Sequence, residues 1–293
     1  MKKTLSSLVQ PGIVLIIILF WMFAPASWVK NSWTVTAMVV GTKILIQSFE
    51  FFFERHASWR MNRTEFLTDL FYVGLGFFVI SKISKFLVKE PLVQVKHYLG
   101  INTEWATHLP FLAQVAIIIF LIEFGQYWMH RLMHNNAFFW STHAPHHHIT
   151  QLNAWKGAVG NPLELFLVGL SVVALFDFQM AALFCAGNVL TSVTSFAHAN
   201  VRFNPPRWFA YVFTTIQHHS IHHSVVYEET RSNYANALIL IDRVFGTFRD
   251  GEAEIVGLDD RRRLSIREQF MFPLLPLIAT IKAKRSKATP AIN

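Results

Sequence analysis

Residues 109–134 read LPFLAQVAIIIFLIEFGQYWMHRLMH, an apolar run as far as Met129 closed by two histidines four residues apart. The run has the roughly 20 residues that a bilayer-spanning helix needs. Residues four apart share a helix face, so on a continuing helix His130 and His134 present their imidazoles together. A membrane helix ending in a paired histidine sets how the rest of the chain is read. Further apolar runs cover 12–23, 33–53, 66–80 and 163–197, the last long enough to turn back as a hairpin at about 162–197.

Composition agrees with that reading. Of 293 residues, 53% are hydrophobic and only 15% charged, which is unusual for a water-soluble fold. The 28 Phe and 9 Trp suit helices that meet lipid and its interface. Basic runs at Arg55, Arg60 and Arg63, at Arg261 to Arg263, and at Lys282, Lys284, Arg285 and Lys287 carry most of the formal charge of +8. Beside apolar spans they point to anionic headgroups, and no nucleic-acid motif accompanies them. The one cysteine, Cys185, excludes an intramolecular disulfide framework and a thiolate metal cluster.

At the amino end, Lys2 and Lys3, an apolar run and Ala24-Pro25-Ala26 have the form of a secretory signal; we read them as a retained anchor. With that end inside, 55–63 and 130–151 fall inside, while 82–96 falls outside or on the surface. The chain divides into membrane-anchor helices (1–129), a histidine-cluster region with the hairpin (130–250), and a cytosolic basic tail with an interfacial segment (251–293). Its polar end, 282–293, reads as disordered.

Eleven of the fourteen histidines lie between residues 130 and 223. Besides the pair, His143-Ala144-Pro145-His146-His147 and His219-Ser220-Ile221-His222-His223 each place imidazoles at i, i+3 and i+4. On a helical turn the first and last project together and the middle one is rotated away, so each triplet could bridge two metal ions. His198, after a long apolar run, is the ninth candidate. His148 and His218 are read as outer partners or substrate-facing groups, and His56, His97 and His108 as ordinary surface histidines. Eight or nine imidazoles exceed what one tetrahedral zinc uses, so two metals of higher coordination number fit better. The clusters contain no carboxylate. Acceptors for the ligands' second N–H are therefore sought among Asp69, Glu123, Glu164, Glu228 and Asp242.

Taken together, the pair, both triplets, His198-Ala199-Asn200, Asn233-Tyr234 and the segment Asp242-Arg243-Val244-Phe245-Gly246-Thr247-Phe248 resemble the fatty acid hydroxylase superfamily, also called the sterol desaturase family. The resemblance runs from about Phe124 to Arg249. It implies an all-α protein of about four to six spans, capped by a cytosolic helical histidine-rich di-metal domain. It also implies two iron ions, replaceable by zinc on overexpression, with dioxygen as co-substrate. The implied ligands are His130, His134, His143, His146, His147, His198, His219, His222 and His223. The implied partners are a bilayer lipid and a separate electron donor, a ferredoxin or a cytochrome b5-like protein with its reductase. Asn161-Pro162-Leu163-Glu164 resembles the bacterial branch, hence an inner-membrane location. His148-Ile149-Thr150 and Lys156 depart from the family pattern, so hydroxylation, desaturation and ether cleavage of a sterol, fatty acyl, carotenoid or ether lipid all stay open. From a different class, a membrane metal transporter would also use histidine clusters, but with its ligands within the spans rather than at their ends.

Overall fold

Four asparagines start four helices by the same chemistry. Each side-chain oxygen accepts a backbone N–H that the first helical turn leaves unpaired: Asn31 from Trp33, Asn62 from Glu65, Asn136 from Phe138 and Phe139, and Asn161 from Leu163. The computed structural model describes residues 6–258, 260–275 and 278; Lys2, Lys3 and the tail 282–293 lie outside the described residues. Eight helices position the site: α1 (Val9–Phe23), α2 (Ser32–Phe52), α3 (Arg63–Tyr98), α4 (Phe111–Asn135), α5 (Ala137–His147), α6 (Pro162–Val168), α7 (Met180–His198) and α8 (Ile216–His222). No named strand occurs among the described residues, and the protein is all-α.

Helices α2, α3, α4 and α7 are long and apolar enough to cross a membrane, and α1 is a shorter apolar helix. The outward faces of α2 and α3 expose Ile44, Leu45, Phe51, Phe66, Leu70, Phe78 and Phe86. Such a continuous apolar surface is rarely left to water. Helix α7 is the hub, packed against α1, α2 and α4, with Cys185, Val189 and Val193 buried in the shared core.

Contacts between helix ends fix the direction of each element. At one end of the bundle, Gln10 at the start of α1 donates to the Phe203 carbonyl, and Arg55 after α2 donates its N–H to the Asn200 carbonyl. At the other end, Lys96 late in α3 pairs with Asp177, and Gln114 early in α4 accepts from Gln179 N–H. So α2, α4 and α7 run toward the first end, and α1 and α3 run away from it. All nine candidate ligands gather at that first end, near the ends of α4 and α7, on α5, and on or directly after α8.

The structure corrects two sequence expectations. Residues 82–96, expected outside or on the surface, belong to α3 itself, which continues with π-helical turns at Gly76–Ile80 and Lys85–Lys89 and through Pro91 as far as Tyr98, before Gly100, whose φ is 62°. The apolar run 163–197 divides into the seven residues of α6 and the nineteen of α7. Asp177 anchors the irregular chain between them through Lys96 and Thr103.

Candidate metal centre

The pair sits on the last two turns of α4, and α5 turns back directly after it. Five imidazoles, His130, His134, His143, His147 and His222, form one group; His146, His198, His219 and His223 form a second. Within each group the nitrogens that could serve as ligands lie within 4.8 Å of one another, and all nine residues are buried. The two triplets divide reciprocally. The first and last members of the α5 triplet join the five-histidine group and its middle member joins the four; the α8 triplet does the opposite. That exchange follows from helical geometry, since positions i and i+4 share a face that i+3 leaves.

Hydrogen bonds fix the protonation of four rings outright, and of a fifth, His143, when its carboxyl partner is ionised. A carbonyl oxygen only accepts, so Nδ1 carries the proton in His130 (to Tyr234 O, 2.6 Å), His146 (to Val159 O, 2.6 Å), His198 (to Thr194 O, 2.9 Å) and His222 (to Ser232 O, 2.8 Å). In His143, Nδ1 donates to Glu164 Oε1 at 2.7 Å. Their Nε2 atoms therefore hold lone pairs. Yet Nε2 of His130 lies 2.9 Å from Nε2 of His143 and 2.9 Å from Nε2 of His222. Lone pairs so close repel unless a cation stands between them.

The spacing fits a metal ion. For metal–nitrogen bonds of about 2.1 Å, neighbouring ligands are about 3.0 Å apart in an octahedron and about 3.4 Å in a tetrahedron. The remaining close pairs, His143–His147 and His198–His219 at 3.0 Å and His219–His223 at 3.1 Å, match the octahedral edge. Buried ring nitrogens of His134, His147, His219 and His223 have no hydrogen-bond partner among the described residues. Burial holds the α5 and α8 imidazoles below the ordinary histidine range, His143 at about 3, and neighbouring rings add to this for His146, His147, His219, His222 and His223. Neutral imidazoles are what a metal requires.

Of the five acids considered from sequence, only Glu164 meets a candidate ligand. It closes a capping box at the start of α6, accepting the Asn161 N–H as well as the His143 proton. Burial pushes its carboxyl up to about 8, against the pull of His146 and the Asn161 N–H. Asp69 instead pairs with Lys156 at 2.7 Å, and Glu123 caps the N–H groups of Ala237 and Leu238. Glu228 is exposed. Asp242 accepts from Tyr234 N–H and Ala235 N–H, both at 2.8 Å, and so holds the carbonyl that orients His130. His148 and His218 turn away, toward the Arg262 carbonyl and toward Thr215 with Asp250. His56 is no free surface histidine: its Nε2 lies 2.8 Å from Glu252 and its ring 4.4 Å from that of Trp59. His97 and His108 are exposed.

The structural roles of several contributors escaped the sequence reading, although Asn233 and Lys156 were named in it. Gly157 is one: a Cβ there would stand 3.3 Å from the His198 ring and 3.2 Å from Thr194. Asn233 is another, at φ 54°, a left-handed conformation that asparagine tolerates better than most residues; its side chain binds the His218 and Arg249 carbonyls and the Arg249 N–H. Lys156 is buried and pairs with Glu65 and Asp69, while Arg263 also reaches Glu65. This network ties α3 to the loop that carries Val159, the acceptor for His146. Beneath the rings a cavity of about 230 Å³ is lined by Gln126, His130, His143, His146, Glu164 and Thr194, among others.

Residues 115–247 match the family described as fatty acid hydroxylase. An ornithine lipid hydroxylase from Rhizobium tropici is 25% identical over 254 residues, covering 84% of this chain and 76% of that protein. A human alkylglycerol monooxygenase is 28% identical over 47% of this chain and 31% of its own length. A very-long-chain aldehyde decarbonylase from Oryza sativa subsp. indica is 27% identical over 47% of this chain and 53% of its own. Against the latter two, the chain spans a third to a half of the relative's length. No solved structure matches the chain significantly.

Proposed function

We propose, from the premise that this chain belongs to the fatty acid hydroxylase superfamily through residues 115–247, that it is an integral-membrane di-iron lipid hydroxylase or desaturase. The coarser statement, a lipid-acting oxygenase in the membrane, rests on the family, the relatives and the four apolar helices. The observation that carries the finer reading is the pair of lone-pair contacts from His130 Nε2 to His143 and His222.

The nine histidines would hold two iron ions, which supply dioxygen activation and the power to oxidise an unactivated C–H bond. The chain's own groups do the rest. Backbone carbonyls and Glu164 hold the imidazole protons on Nδ1, so every Nε2 they orient stays a ligand. Burial keeps the rings neutral. The apolar helices give a lipid a dry route to the cavity beneath the rings. Electrons would come from a separate carrier, a ferredoxin or a cytochrome b5-like protein with its reductase, docking on the cytosolic end that holds the histidines. A bacterial inner membrane is the location that fits this reading.

Lipids from cells with and without the chain, grown under isotopically labelled dioxygen, test the class. A hydroxylase adds one labelled oxygen to one lipid species, and a desaturase removes two hydrogens and sends the label to water. Identical lipids in the two strains under saturating expression would contradict the proposal.

A further inference from the structure

A lysine stands inside the bundle without an acidic partner. Lys43 lies on α2, near the middle of a predominantly apolar helix. Its Nζ donates to the Ala154 carbonyl at 3.2 Å and to Ser195 Oγ at 2.9 Å, and lies 5.6 Å from the centre of the Trp155 ring. No carboxylate lies within ion-pair distance of it among the described residues. Asp69, the acid that acts on it through space, is already paired with Lys156. Glu50, on the same helix, spends its carboxylate on the N–H groups of Ala154 and Asn200 and on Gln47. A cation so placed within a membrane span is costly unless something compensates it, and such residues commonly mark a substrate pathway.

The cavities say where the compensation enters. Lys43 lines a cavity of about 300 Å³ together with the polar groups of Glu123, Gln126, Thr191, Thr194, Ser195 and Asn236; Glu123 there has one carboxylate oxygen committed to the N–H groups of Ala237 and Leu238. Gln126, Thr194 and Asn236 also line the cavity beneath the histidines. On its other side Lys43 lines a more apolar cavity of about 370 Å³ with Val39, Tyr72, Phe77, Ile80 and Leu165, between α2 and α3. The lysine thus stands where an apolar opening meets a polar chamber that continues to the metal centre. Ser195, which holds its amine, precedes His198 by three residues on α7, about one helical turn. Two of the ammonium's three protons are occupied; the third is free to meet a ligand.

We propose that Lys43 is a specificity-determining residue that binds an anionic oxygen group, a carboxylate or a phosphate, of the lipid that this enzyme oxidises. The lipid's chain would lie in the apolar cavity and its acidic group in the polar chamber, one turn of α7 from His198. This deepens the oxygenase reading and rests on it for the word substrate, but the binding it describes is measurable without turnover.

The test is equilibrium binding to the purified full-length protein in detergent, followed by tryptophan fluorescence. The probes are oleate, oleoyl lysophosphatidate and methyl oleate, and metal content is measured on the same samples. Wild-type protein should bind one of the acidic probes at least about tenfold more tightly than the ester, as one charge-assisted hydrogen bond provides; whichever acid binds better identifies carboxylate or phosphate. Lys43→Gln, which can still bond Ala154 and Ser195, should lose that preference with metal content unchanged, and Lys43→Arg should keep it. An absent preference in wild-type protein, or one that survives in Lys43→Gln, would overturn the proposal. Should Lys43→Gln not fold, Lys43→Met carries the same comparison. Loss of metal with the acid preference intact would count against the di-iron reading and leave this one standing.

Discussion

Glu164 shows how much one side chain can settle. It accepts the His143 proton at 2.7 Å and caps the helix on which it lies. Replacing it with Gln keeps an acceptor oxygen but removes the ionisable carboxyl, and outer partners of metal-bound histidines contribute roughly 10–100-fold in affinity. Glu164→Gln should therefore lose metal to a chelator about that much more readily while staying folded; unchanged retention would show that His143 does not depend on it. At His56 the structure changes the expectation. Its contact with Glu252 makes His56→Ala cost about 1 kcal/mol of stability, whereas exposed His97→Ala should stay within about 0.5 kcal/mol. Thermal unfolding of both variants measures the difference. The nine histidines were legible in sequence because their chemistry lies in side chains at helical spacing. The acceptors behind His130, His146, His198 and His222 were not, because they are backbone carbonyls, which any residue could supply. Lys43 was equally silent, a single cation with no partner at a telling spacing.

Among the elements, the segments between helices do the fine positioning. Asp242 holds Tyr234 and Ala235 through their N–H groups and takes a third bond from Thr247 at 2.6 Å. Asp242→Ala would strand two buried N–H groups at about 1–3 kcal/mol each, and should disorder the His130 acceptor before it disturbs α7. Hydrogen exchange at residues 232–236 and along α7 distinguishes the two. A second tie joins the segment after α2 to the chain beyond the histidines, through Arg55, His56 and Glu252. Burial opposes the charge on Glu252, but hydrogen bonds from Arg55 and His56 prevail and hold its carboxyl below the ordinary range. A depressed carboxyl stabilises the folded state above its unfolded value, about pH 4.3, and loses that contribution as pH falls through the folded value. The stability gap between wild type and Glu252→Gln should thus be constant near neutrality and close in acid; a gap independent of pH would remove this link. Element types were legible from apolar runs of spanning length. The break at 169–179 was not, because it depends on Asp177 meeting Lys96 and Thr103, which are distant in sequence.

For the molecule as a whole, direction matters most. The ends of α2, α4 and α7 that carry or adjoin the histidines lie together, and residues 96–114 and 175–179 form the opposite end. With Cys185 replaced, a cysteine at Asn204 should react with an impermeant label from the cytosolic side and one at Asn102 from the other. Labelling of both from one side would contradict a bundle that spans the membrane. The most direct measurement of the central claim is metal content. Full-length protein expressed aerobically with iron, purified and analysed by elemental mass spectrometry, should hold about two metal ions per chain, as a two-metal centre requires. His222→Ala should deplete the five-histidine group and His219→Ala the four-histidine group. One ion or none in well-folded wild-type protein would contradict the di-metal centre.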